Sequence, residues 1–118
     1  MKTQSEVKES GIFTEAEHSI FDAVIEQIGD GWSEIWENPE DYSYPQGGVH
    51  GFFGYNQTEP FARDNIDDIL EMLSDEQSAT GTPLMPPGDY NRLNWLAWFA
   101  LSTIMNKIMS IKEEEENN

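Results

Sequence analysis

Between Lys8 and Arg63 the chain contains no lysine or arginine, while Glu9, Glu15, Glu17, Asp22, Glu26, Asp30, Glu34, Glu37, Glu40, Asp41 and Glu59 are all acidic. Folding such a stretch concentrates uncompensated negative charge, and the self-repulsion opposes the compact state. An architecture of helices with one apolar and one acidic face meets this constraint, because the carboxylates stay in water while the opposite stripe builds a core.

The pattern along the chain agrees. Thr14 to Glu17 (TEAE) has the spacing of a capping box, where two side chains satisfy backbone N–H groups at a helix start. A first helix over residues 14–28 follows, with Ile20, Phe21, Val24, Ile25 and Ile28 at helical period and Gly29 as its stop. Trp32, Ile35 and Trp36 predict a short second helix ended by Asn38-Pro39. Residues 39–57 (PEDYSYPQGGVHGFFGYNQ) are too rich in glycine and broken in alternation for a regular strand, and are expected as a long ordered loop with room for a short hairpin.

Thr58 and Pro60 then open a third helix, 59–74, and residues 78–88 form a second loop. Asp89 is the expected cap of a last helix over 90–112, which carries Leu93, Leu96, Ala97, Ala100, Leu101, Ile104, Ile108 and Ile111 at helical period. Trp95, Trp98 and Phe99 make its first half apolar nearly all round, which fits a buried centre or a homodimer interface. The expected fold is mainly α, a small bundle of about four helices forming one domain over residues 12–111. Residues 1–11 are expected as a flexible arm and 112–118 as a disordered acidic tail.

Several chemistries are disfavoured by residue types alone. There is no cysteine, hence no disulfide, thiolate metal site or cysteine nucleophile. The longest apolar run, Trp95 to Leu101, is seven residues, against about 20 for a membrane-spanning helix. The opening MKTQSEVKES lacks a secretory apolar core, so the expected location is cytoplasmic. His18 and Asp22, an i, i+4 pair, form the weak start of a metal site, and such pairs are common on acidic helices.

His50 lies among Gly47, Gly48, Gly51 and Gly54. That segment reads either as a binding loop displaying His50, Phe53 and Tyr55 or as a tight loop whose aromatics fill the core. It lacks the phosphate-loop pattern, and Asp64 to Asp68 lacks the glycine of a calcium loop. With abundant carboxylates no pair is specific enough for a glycosidase. The expectation is therefore no enzyme and no cofactor, and no direct nucleic-acid binding, since phosphates would be repelled.

On a helical wheel Asp64, Asp67, Asp68, Glu71 and Asp75 share one arc, opposite Ile66, Ile69, Leu70 and Leu73. The first helix repeats the design with Glu15, Asp22, Glu26 and Asp30, extended by Glu34, Glu37, Glu40 and Asp41. The usual i, i+4 lysine partners are missing. The net charge of −17, from 23 acids and six bases, also exceeds the magnitude of roughly 2–8 common in small domains.

With HGFFGY, the acidic helix containing LEML, and NWLAWFAL in view, residues 50–108 resemble a family of small uncharacterised proteins of phages and bacteria. The resemblance implies a mobile-element origin and little mechanism, since the family offers no assigned active site to carry over. In size and acidity the chain also resembles phage anti-restriction and anti-CRISPR proteins that imitate nucleic acid.

The resulting expectation is a DNA-mimicking inhibitor that binds the basic groove of a DNA- or RNA-binding protein through these acids, with Tyr42, Tyr44 and Tyr55 as aromatic anchors. Two alternatives are an immunity or antitoxin-type partner of one nuclease, binding through PEDYSYPQGG, and a small-molecule module centred on the Gly/aromatic loop.

Overall fold

Thr14 does cap a helix. Its hydroxyl accepts from the Glu17 backbone N–H at 3.3 Å, and the Glu17 carboxylate accepts from the Thr14 N–H at 2.9 Å. The computed structural model describes residues 1–29, 31–42, 58–81 and 91–117, and among these it is helical with no strand. The elements are α1 (Gln4–Lys8), α2 (Glu15–Ile28), α3 (Trp32–Glu37), a 3₁₀ turn (Pro39–Tyr42), α4 (Thr58–Asp64), α5 (Ile66–Thr80) and α6 (Arg92–Glu116).

Six described helices replace the expected four, for two reasons. The expected third helix breaks at Asn65, whose side-chain amide donates to the Phe61 carbonyl at 2.9 Å and whose backbone leaves helical geometry at φ −117°. A short polar side chain that competes locally for a backbone carbonyl commonly interrupts a helix in this way. Beyond the break the chain stays helical to Thr80, where Gly81 adopts φ +73° and closes the end.

The other addition is α1, inside the segment expected as a flexible arm. It has its own Thr3/Glu6 capping box, and Val7 gives it a fully buried apolar anchor. The acidic tail likewise continues α6 to Glu116, because adding residues to an established helix costs far less than nucleating one.

The last helix is capped by Asn91, whose Oδ1 accepts from the N–H groups of Leu93 and Asn94 at 2.9 and 3.2 Å. The expected cap, Asp89, lies outside the described residues. At 25 residues α6 is about 37 Å long and serves as the axis on which α2, α4, α5 and the 3₁₀ turn pack. Leu96, Ala97, Ala100, Leu101, Ile104, Met105 and Ile108 are essentially inaccessible, and Trp95 and Phe99 stack within the same core with ring centres 5.6 Å apart. The aromatic half of α6 is thus the buried centre.

Among the described residues, one charged side chain lies within this core. Glu17 is 1 % exposed, and the Lys107 ammonium from the middle of α6 bonds both of its carboxylate oxygens, Oε2 at 2.8 Å. Lys107 also lies 3.8 Å from Glu76 on α5 and donates to the Ile12 carbonyl at 3.4 Å. Three helices therefore meet at one cation. Lys107→Ala, which strands the buried carboxylate, is expected to cost about 3–5 kcal/mol in urea unfolding. The Glu17→Gln/Lys107→Ala double variant should recover part of that loss, since it removes the uncompensated charge and leaves the capping geometry to the amide oxygen.

Candidate functional site

Lys107 joins the start of α2 to the later part of α5, while Glu26 near the end of α2 and Asp64 just before α5 line one cleft. The two helices pack together and run antiparallel. Glu15, Asp22 and Glu26 are exposed on α2, opposite the buried Ile20, Phe21, Val24, Ile25 and Ile28. On α5, Asp67, Glu71 and Asp75 are exposed at i, i+4 and i+8, and Asp68 is half-buried beside them.

The apolar side of α5 differs from the wheel. Ile69 and Met72 are fully buried and Ile66 and Leu73 partly so, but Leu70 is 37 % exposed. The stripe facing α2 and α6 follows the row 66, 69, 73 and 76 toward Lys107, which turns Leu70 out among Asp67 and Glu71.

The Asn65 break removes Asp64 from this row. Asp64 ends α4 and, with Ala23, Glu26, Gln27, Pro60, Phe61 and Asn65, lines a cleft of about 390 Å³ between α2 and α4. Acids expected on two separate stripes thereby share one wall. Glu37, Glu40 and Asp41 are exposed but lie at α3 and the 3₁₀ turn, elsewhere on the molecule. Glu40 borders a groove with Met109, Lys112, Glu113 and Glu116 of α6, and Lys112 donates to the Glu37 carbonyl at 2.7 Å. Glu113 and Glu116 join this second acidic patch, which sequence reading missed by assigning them to a disordered tail. Their signal was the helical period leading to Ile108 and Ile111.

Tyr42 is corrected by burial: at 5 % exposure it packs in the core and does not stand out as an anchor. Asp30, Tyr44, His50, Phe53 and Tyr55 lie outside the described residues. His18 is half-buried, and among the described residues no three His, Asp or Glu side chains converge as metal ligands.

The lysines are mostly turned to internal contacts. Lys107 serves Glu17 and Glu76, Lys112 serves a backbone carbonyl, and Lys8 pairs with Asp22 at 2.5 Å. Asp22 is thus the partnered member of the expected stripe. Gln4 donates to its other oxygen at 3.2 Å. Glu15, Glu26, Asp64, Asp67, Asp68, Glu71 and Asp75 form no ion pair among the described residues. The Lys8 hydrogen bond holds the Asp22 carboxyl below the ordinary aspartate range, against a partial loss of hydration, with smaller help from Gln4 and the nearby Lys8 and His18 charges. Glu6 is also lowered, first by the Thr3 N–H and then by its hydroxyl.

No protein-family model, curated protein or solved structure matches this chain.

Two outcomes follow from these charges. Glu71→Lys converts two like-charge i, i+4 pairs, with Asp67 and Asp75, into opposite-charge pairs. The urea midpoint should rise by the equivalent of about 0.8–2 kcal/mol at low ionic strength, and the gain should shrink in salt. For Asp22, whose folded-state value lies below the unfolded value of about 3.9, the stabilisation is present at neutral pH and is lost as pH falls through the folded value. Its side chain is 57 % exposed, so the gap between the wild type and Asp22→Asn should be about 0.2–1 kcal/mol at pH 7. Unfolding titrations should show that gap closing below about pH 4, near the unfolded-state value.

Proposed function

We propose that this protein is an acidic inhibitor that imitates nucleic acid and occupies the basic groove of a DNA- or RNA-binding protein, acting as a phage-encoded anti-defence protein of the anti-restriction or anti-CRISPR kind. The observation that carries the reading is the pairing of α2 and α5: two neighbouring antiparallel helices, each with an outward row of carboxylates, where Glu26, Asp67, Glu71 and Asp75 have no ion-pair partner among the described residues.

A solvated face alone gives no reason to omit the i, i+4 lysines that stabilise ordinary surface helices. Selection for a basic partner supplies one. From Asp67 to Asp75 the helix rises about 12 Å, so the four acids Asp67, Asp68, Glu71 and Asp75 stand at a mean spacing of about 4 Å along the axis. One strand of DNA carries a charge about every 3.4 Å. The carboxylates would replace phosphates, steering would speed association in a salt-sensitive way, and Leu70 offers an apolar contact within the same face.

The test uses the full chain as bait in a nuclease-treated lysate of a bacterial host, at low salt and at about 0.5 M, where the Debye length falls well below 10 Å. The captured protein is then assayed for nucleic-acid binding. The expected result is salt-sensitive capture of a nucleic-acid-binding protein, displacement of its nucleic acid by this chain, and affinity weakened about five- to tenfold by Glu71→Lys, the size of one solvent-screened surface contact turned repulsive. Capture indifferent to salt and to Glu71→Lys would sink the reading.

A further inference from the structure

Helix α1 has five residues, far below the roughly 12–15 at which an isolated helix becomes even marginal in water. Its existence depends on what it docks against, and the described contacts show how it is held. Val7 is fully buried, and the Trp32 indole N–H donates to the Lys2 carbonyl at 2.9 Å. Gln4 and Lys8, one helical turn apart on the same side of α1, converge on a single carboxylate: Gln4 Nε2 lies 3.2 Å from Asp22 Oδ1, and Lys8 Nζ lies 2.5 Å from Asp22 Oδ2.

Asp22 belongs to the outward acidic row of α2, and its side chain remains 57 % exposed beside a Lys8 that is 27 % exposed. An exposed pair of this kind is weak and open to exchange with another cation. The rings of Phe13, Phe21, Trp32 and Trp36 form a row with centres 5.2, 6.2 and 6.0 Å apart in succession, and the Trp32 indole ties the start of the strap to it through the Lys2 carbonyl.

We propose that α1 is a releasable strap that occupies part of the acidic surface from within: Lys8 and Gln4 hold Asp22 until a cationic side chain of the basic partner replaces them and frees α1. This rests on the reading of the acidic face as the partner-binding surface. The strap competes with the partner for one carboxylate, so partner affinity and α1 docking are coupled reciprocally. Because five residues with one capping box are too few to stay helical undocked, exchange at Asp22 promotes local unfolding of residues 4–10.

Amide hydrogen exchange on the full chain, read with an oligo-arginine peptide as the cationic probe at low salt, tests the coupling. In the free wild type, the amides of Val7, Glu9 and Ser10, which bond the carbonyls of Thr3, Ser5 and Val7, should be protected. Lys8→Ala and Asp22→Asn should each speed their exchange about two- to fivefold, the size set by a weak surface pair, and leave α6 unchanged. The peptide should speed exchange at residues 4–10 in the wild type but not in Asp22→Asn, and should bind Lys8→Ala about two- to fivefold more tightly, by the same coupling.

Peptide binding that protects α2 and α5 while leaving residues 4–10 as protected as before would overturn the strap and leave the acidic surface standing. No binding at low salt would overturn both. Unprotected residues 4–10 in the free protein, or acceleration that spreads to α6, would also refute the strap.

Discussion

Everything else in this fold is arranged around a carboxylate that should not be buried. Glu17 sits in the core at 1 % exposure, in a chain with 23 acids and six bases, and it is held there by the Thr14 backbone and by Lys107. Taking the Glu17 carboxylate out of water, with Lys107 left 22 % exposed, carries a penalty of several kcal/mol after relaxation, offset only when geometry and hydrogen bonding are good. The capping box and the two-oxygen contact supply that geometry. In return the pair sets the register of α2 on α6 and, through Glu76, draws α5 to the same point.

Once Lys107 is committed to that junction, the remaining charge cannot be balanced locally. Lys8 goes to Asp22 and Lys112 to a backbone carbonyl. The outward acids of α2 and α5 are left facing water on two antiparallel neighbours, with Glu26 and Asp64 lining the same cleft. A surface charged in this way is kept in place by its buried side. The repulsion between carboxylates is borne by Ile20, Val24, Ile69, Met72, Leu101, Ile104 and Ile108, whose burial at roughly 1.5–3 kcal/mol each outweighs the few tenths of a kcal/mol per like-charge pair.

The helices with a long apolar period and a capping signal were legible in the chain: residues 14–28, 32–36 and the long final helix all correspond to described elements. The break at Asn65 was not, because helical period is blind to a side chain that can bond its own backbone four residues earlier. Helix α1 was missed for a related reason: one valine in a polar stretch reads as solvated chain unless the pocket that takes it is known. Of the candidate surface, the acids of α2 and α5 could be named from spacing, whereas Leu70 was placed on the wrong side and Tyr42 was given an exposure it lacks. The first error comes from the breadth of an apolar arc, which one neighbouring helix or two can bury to different depths, and the second from reading Tyr42 as loop when it ends a 3₁₀ turn packed on α6.

By itself the sequence determined that the chain forms amphipathic helices and that their outer faces are acidic, since period and charge are properties of each segment alone. Only the tertiary structure decided which acids belong together and which are neutralised. Glu17 became a core residue because Lys107, 90 positions away, reaches it. Asp22 lost its isolation because α1 folds back onto α2, and Asp64 joined Glu26 because the ends of α4 and α2 border one cleft. The physical reason is the same in each case: an ion's partner and hydration are set by distance in space, which local periodicity does not encode.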